Sequence, residues 1–210
     1  MKNKTTASDI LQTYGTIIAG LLVIIIFSIL RPDAFFTFRN LINISRQISL
    51  QVIIAIGATL IMCVGEFDLS IGALASLGGV IGALLAVAGF PVWLCFLVPV
   101  VACLILGWVN GWIVTKFNVL SFITTLGMST ILAGFTYWLT DGSTVFQNIP
   151  KSFTFIGSKS LTQIPYLTMI MLLFSVIFWF IMRNTAFGRK LYAIGGNETA
   201  SRVSGINVNR

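Results

Sequence analysis

The sequence predicts an all-α fold: a polytopic membrane bundle of about six transmembrane helices with a short helix at its C-terminal end. Three observations predict it. Of 210 residues, 57% are hydrophobic and only 9% are charged, where a soluble domain carries about a quarter charged. The mean hydropathy is +0.97. Apolar runs long enough to cross a bilayer recur along the chain, and the ionisable residues fall between them.

The runs divide the chain into a polar N-terminal tail at 1–13, a transmembrane domain at 14–182 and a basic polar segment at 183–210. Lys2 and Lys4 precede an apolar run in the manner of a signal peptide, but no small-residue cleavage site follows it. The run ends at Arg31-Pro32-Asp33, so Thr16–Leu30 reads as an uncleaved first span. Residues 31–46 form a polar and aromatic connection. Ile48–Val64 is the second span, and it ends at GEFDLSIG, residues 65–72. Asp68 is expected to cap the helix that follows, and a third span is expected over Leu69–Ala88. Gly72, Ser76 and Gly79 lie near one face of it, and Gly78 and Gly82 form a G-x-x-x-G pair. Small residues let helices approach closely in lipid; the same face could line a path.

Gly89-Phe90-Pro91 is a turn. Val92–Val114 is the fourth span, with Pro99 inside it and Asn110 as a polar group at helix depth. Lys116 marks a short loop. Val119–Leu139 is the fifth span, where Thr124, Thr125 and Gly127 suit a discontinuous helix whose freed backbone groups line a cavity. Residues 140–163 form the largest loop, and Ile164–Met182 is the sixth span. Six spans put both ends on one side. Eight of the thirteen basic residues fall on that side, which marks it as cytoplasmic. The three arginines of 31–46 run against this bias, but the C-terminal cluster of Arg183, Arg189, Lys190, Arg202 and Arg210 is the densest.

That last segment has its own local chemistry. Gly195-Gly196 is a turn signal. Asn197 is a good N-cap, Glu198 suits the first helical turn, and Arg202 stands four residues on in the favourable order. Gly205 fits the left-handed C′ position with Ile206 folding back behind it. A short capped helix over Asn197–Gly205 follows, with Ala200 and Val203 on one side. It is too short to be stable alone, so it needs a surface to lie on.

The stretch FGRKLYAIGGNETASRVSGINV resembles the cytoplasmic coupling segment of sugar-type permeases of bacterial ABC importers, the ribose and related carbohydrate group. The match runs through Gly188, Arg189, Tyr192, Ala193, Gly195, Gly196, Asn197, Ala200, Arg202, Ser204, Gly205, Ile206, Asn207 and Val208. FFTFRNL resembles the same family's chain after its first span. GEFDLSIG resembles its G-x-D-L-S-V-G signature through Gly65, Asp68, Leu69, Ser70 and Gly72, with Glu66 where a small residue is expected. Residues 122–127 resemble its F-I-x-T-L-G segment, with Leu120 in place of the usual proline.

The resemblance implies a multi-pass protein of the bacterial inner membrane. It implies coupling to a separate ATPase through Gly188, Arg189, Gly195, Gly196, Asn197, Glu198, Ala200, Arg202, Gly205 and Ile206. It also implies a periplasmic or extracellular sugar-binding protein and a second permease copy as partners. Members of the family continue into further spans, so a chain lacking the C-terminal spans is expected.

The residues themselves exclude several chemistries. There is no G-x-x-x-x-G-K-[ST] phosphate loop and no histidine. Cys63, Cys95 and Cys103 form no C-x-x-C pair, so no metal or cofactor is expected. The basic residues set topology and form no nucleic-acid footprint. Glu66 and Asp68 lie at a span end, where capping explains them better than acid–base catalysis; no enzyme is expected. No acid lies at mid-span, so proton or sodium coupling has no carrier. Trp108, Asn110, Phe122, Thr124 and Thr125 are the candidates for a translocation path. The alternative is a non-transporting membrane scaffold or assembly fragment that keeps the ATPase-docking surface.

Overall fold

The computed structural model describes residues 7–208, with side chains from Gln12 onward. The described chain forms two compact units, 1–47 and 48–210. The first contains α1 (Ala7–Leu30) and α2 (Pro32–Phe35). Part of the expected polar tail, residues 7–13, is helix continuous with the first span; residues 1–6 lie outside the described part. Pro32 opens α2, where its missing N–H costs nothing. Phe35 stacks on Phe27 with ring centroids 6.1 Å apart. Asn40 Nδ2 donates to the Phe35 carbonyl at 2.9 Å, closing the corner. Helix α3 (Phe38–Cys63) carries the chain from the first unit into the second.

The second unit continues with α4 (Ile71–Val87), α5 (Val92–Phe117), α6 (Ser121–Thr140), α7 (Lys151–Ser158), α8 (Tyr166–Asn184), α9 (Ala186–Gly196) and α10 (Glu198–Val203). Two-residue strands β1 (Ser160–Leu161) and β2 (Ile164–Pro165) pair antiparallel, Ser160 opposite Pro165. Among the described residues five helices are long and apolar enough to cross a membrane: α1 from Gln12, α3, α5, α6 and α8. The expected third span is shorter than foreseen. Its helix is the 17-residue α4, about 25 Å at 1.5 Å per residue, because Leu69 and Ser70 belong to the break before it.

Helix α4 packs on both α5 and α6. Its small residues separate into two faces. A Cβ at Gly82 would sit 2.8 Å from the Cys95 carbonyl oxygen and 3.3 Å from the Phe153 ring, and one at Gly78 would sit 3.2 Å from Cys103 Sγ. The G-x-x-x-G pair is therefore the seam against α5, with Pro99 of α5 beside it. Gly72 and Gly79 meet nothing within 4 Å, and the face they mark is open. Among the described residues Leu77, Ala86, Cys95 and Leu132 form the buried apolar core. At the far end Phe153 of α7 stacks on Phe96 at 5.2 Å, so the expected loop at 140–163 is partly a helical cap on α5.

The fifth helix is continuous through Thr124, Thr125 and Gly127, against the expected discontinuity. Its threonines bond their own carbonyls four residues back, Thr125 to Ser121 at 2.8 Å and Thr130 to Leu126 at 3.1 Å, which leaves the helical ladder intact. The break falls earlier, between α5 and α6, where Asn118 is left-handed at φ 52°. It forms with Leu120 at the position where the resembling family usually has a proline.

The two small faces of α4 predict opposite results. Gly82→Ala should destabilise the chain by about 1–3 kcal/mol through overpacking on the α5 backbone. Gly79→Ala should be neutral or stabilising by up to about 1 kcal/mol, from helix propensity alone. Unfolding of the two variants in mixed micelles, followed by circular dichroism, measures both.

Candidate functional site

Two places gather the residues singled out from the sequence. The first is the break between α3 and α4. Helix α3 ends in a Schellman cap: Glu66 N–H donates to the Ile61 carbonyl at 3.3 Å and Gly65 N–H to Met62 at 3.0 Å. Gly65 sits at φ 86°, a conformation a side chain would strain. The chain then runs through Glu66, Phe67, Asp68 and Leu69 without helix.

Neighbouring helices hold this stretch. Phe67 N–H donates to Ser121 Oγ at 3.2 Å, and Leu69 N–H to Thr125 Oγ1 at 3.1 Å. Ser121 and Thr125 are one helical turn apart on α6, so one face supplies both acceptors. Asp68 does not cap α4 as expected. Its Oδ1 accepts from Ser70 N–H at 2.7 Å and from Ser70 Oγ at 2.6 Å, and Ser70 is the residue at the N-cap, without a side-chain cap bond.

Asn110 of α5 closes the cluster. Its Nδ2 donates to Ser70 Oγ at 2.9 Å. Because Ser70 Oγ already donates to Asp68, it must accept from Asn110, which fixes the amide orientation. Asn110 Oδ1 is buried and without a partner. Ser70, Asn110, Ser121 and Thr125 are all buried. Asp68, Asn110, Ser121 and Thr125 border a partly open cavity of about 370 Å³, lined also by Leu60 and Phe187.

Of the five expected path residues, then, the fold brings Asn110 and Thr125 together with the signature residues Asp68, Leu69 and Ser70. Trp108 is 68% exposed and borders a different cavity, and Phe122 is 53% exposed. Thr124 keeps its Oγ1 buried and without a partner, apart from this cluster. Gly72 lies on the open face of α4. Ser121 was missed; the signal that could have found it is its spacing of four from Thr125.

The second place is the C-terminal segment. Thr185 caps α9, its Oγ1 accepting from Gly188 N–H at 3.3 Å. Gly188 is buried, and a Cβ there would overlap the Met182 carbonyl. A Cβ at Gly195 would likewise overlap the Cys63 carbonyl. These glycines allow backbone to meet backbone, tying α9 to the end of α8 and to the end of α3. Gly195 and Gly196 are the last turn of α9, where a turn between elements was expected. Asn197 alone makes the break.

Helix α10 has the expected capping chemistry. Asn197 Oδ1 accepts from Ala200 N–H at 2.9 Å. Arg202 pairs with Glu198 at 2.9 Å on the surface. Ile206 N–H donates to Ser201 and Gly205 N–H to Arg202, at 3.0 and 3.1 Å, with Gly205 at φ 82°. Arg189 reaches the Asn184 carbonyl at 3.4 Å. Helix α10 packs on α9 with Ser201 buried, while Ala200 is exposed and Val203 is 85% exposed. Ile206 is half-buried. No cluster of metal-ligating side chains occurs among the described residues.

Thr125→Val keeps the shape of α6 and removes the acceptor for Leu69 N–H. It should cost about 1–2 kcal/mol, the loss of one part-buried hydrogen bond with its donor left unpaired, and should raise hydrogen exchange at the Leu69 amide. Thr130→Val, whose hydroxyl bonds only its own helix, should cost less than about 1 kcal/mol. Amide exchange in detergent together with micellar unfolding reads both effects.

A family profile described as branched-chain amino acid transport system / permease component matches residues 40–210. The ribose import permease of Haemophilus influenzae is 38% identical over 100% of this chain and 67% of its own length. The ribose import permease of Escherichia coli K12 is 40% identical over 95% of the chain and 63% of its length. The D-allose transport system permease of the same strain is 33% identical over 93% and 60%. The chain thus spans about two thirds of the length of the curated relatives it matches. No solved structure matches. With its apolar helices and its matches to these relatives, the chain belongs to this permease family of the inner membrane, on the branch that holds sugar ABC importer permeases, and not to a family of enzymes.

Proposed function

We propose that this chain is the permease subunit of an ABC importer, that it forms part of the path of a ribose-like sugar, and that it couples to a separate ATPase through residues 184–210. The observation that carries the coupling reading is the build of α9 and α10. A docking element that transmits force must be short, capped at both ends and tied to the spans. Helix α10 is capped at both ends, it packs on α9, and α9 meets the backbones of α3 and α8 at Gly195 and Gly188. Its exposed side carries Ala200 and Val203, small enough to enter a groove on a partner.

The relatives named for ribose and D-allose support a monosaccharide as the solute. A soluble sugar-binding protein on the opposite side and a second permease copy complete the assembly. In this reading the cluster of Asp68, Ser70, Asn110 and Thr125 lies beside the path and sets where the chain between α3 and α4 can move. The end bearing α9 and α10 faces the cytoplasm.

Three variants test the docking element by pull-down of the ATPase at matched membrane levels. Gly205→Val strains the cap at a left-handed position and costs on the order of 1 kcal/mol locally, too little to prevent insertion. It should lose ATPase binding, and Ala200→Trp should lose it by overlap. Glu198→Gln removes only an exposed pair, worth a few tenths of a kcal/mol, about the size of a surface i,i+4 pair, and should bind normally. Binding at the parent level by both Gly205→Val and Ala200→Trp would remove the coupling assignment.

Orientation is tested separately. In a background without native cysteines, Thr144→Cys should react with an impermeant thiol reagent added outside intact cells. Val203→Cys, chosen for its exposure, should react only after the membrane is opened. Labelling of Val203→Cys from outside would reverse the topology.

A further inference from the structure

Helices α3 and α8 meet at one end, are bridged by α9 at the other, and stand apart between. At one end Ser49 Oγ donates to Thr168 Oγ1 at 3.2 Å. At the other, α9 leaves α8 through the Gly188 corner and lays Gly195 against the Cys63 carbonyl of α3. Between these ties lies an open groove of about 460 Å³, bordered by Ile56, Leu60 and Cys63 of α3 and by Phe178, Trp179 and Arg183 of α8. Its walls along the spans are mostly apolar; Thr59 and Ser175 also border it, and their hydroxyls donate to the Ala55 and Met171 carbonyls of their own helices. In hydrocarbon an unfilled groove forfeits the dispersion contacts of its lining atoms, so an occupant that fits is favoured.

The chemistry of one end says which occupant. The Arg183 guanidinium lies 5.4 Å from the Trp179 ring centroid, and Tyr192 of α9 borders the same end. The ion pair found among the described residues is Arg202 with Glu198, so Arg183 has no carboxylate. No acid borders the groove, and Arg189 and Lys190 follow within two helical turns. A cation flanked by Trp and Tyr at the end of an apolar groove matches the headgroup level of a bilayer. Basic pockets between spans select anionic headgroups.

We propose that this groove seats one anionic phospholipid, with an acyl chain against Ile56, Leu60 and Phe178 and its phosphate on Arg183. The site stands apart from the cluster at Asp68 and from the exposed face of α10, and the proposal does not depend on ATPase coupling. An acyl chain alone would be indifferent to headgroup charge; Arg183 makes the site selective.

The test uses the full chain with Trp179 as its single tryptophan, the other four changed to Phe. It is reconstituted in vesicles containing either dibrominated phosphatidylglycerol or dibrominated phosphatidylcholine, whose bromines quench a tryptophan they touch. Bulk lipid also reaches Trp179, so the readout is the ratio of the two lipids. Phosphatidylglycerol should quench at about fivefold lower mole fraction, the size of one basic contact at a membrane surface. Arg183→Gln should bring the ratio to one with phosphatidylcholine quenching unchanged. Ile56→Phe, which fills the groove and keeps the charge, should also bring it to one, and it decides the matter if Arg183→Gln inserts poorly. Lys116→Gln, a cation outside the groove, should leave the ratio intact. Equal quenching by both lipids in the parent overturns the proposal. So does a preference that survives both groove variants, or one that falls as far in Lys116→Gln.

Discussion

The second unit depends on how one non-helical stretch between two apolar helices keeps its backbone satisfied. A backbone N–H or C=O that packing shields from water needs a partner in the protein. Between α3 and α4 the helical ladder stops for several residues, and the orphan donors of Phe67 and Leu69 are met by Ser121 and Thr125. Those two hydroxyls fix α6 against the break. Asn110, reaching Ser70 from α5, fixes the third helix. The short length of α4 follows, because the break takes the residues that would have been its first turn.

Around that cluster the packing is governed by glycine and by small side chains. Hydrophobicity does not drive helices together in lipid, so close contact has to come from shape. The seam of α4 against α5 is a glycine seam, with Pro99 and Cys103 fitted into it. The same device recurs at the C-terminal end, where Gly188 and Gly195 let α9 touch the backbone of α8 and α3. Movement of α9 would therefore be felt at the end of α3, next to the break that α3 leads into. This gives the proposed docking element two mechanical attachments to the spans.

Much of this was legible in the chain. Periodicity and composition found all six apolar helices, because a bilayer imposes a length and tolerates few charges, but α1 and α3 begin nine and ten residues before the expected spans, and most of the expected connection at 31–46 is α2 and the first turns of α3. The caps of α10 were legible residue by residue, since Asn197, Glu198, Arg202 and Gly205 act on neighbours three or four positions away. The motifs at 65–72, 122–127 and 188–208 carried the family.

What the sequence could not decide was which distant residues share a place. Asn110 and Thr125 look alike as polar groups at helix depth, and so do Trp108 and Thr124. Only the tertiary structure joins the first two to Asp68 and Ser70 and leaves the others outside. Gly195-Gly196 has the composition of a turn, yet it is helix, and the close approach of the Cys63 carbonyl demands a residue without Cβ at Gly195. The continuity of α6 and the groove between α3 and α8 were equally hidden. Local propensity is set by neighbours along the chain, and so the sequence by itself determined which stretches are helix and how α10 is capped. Partners for buried polar groups and close backbone approaches are set by elements far apart in sequence, and only the fold could supply them.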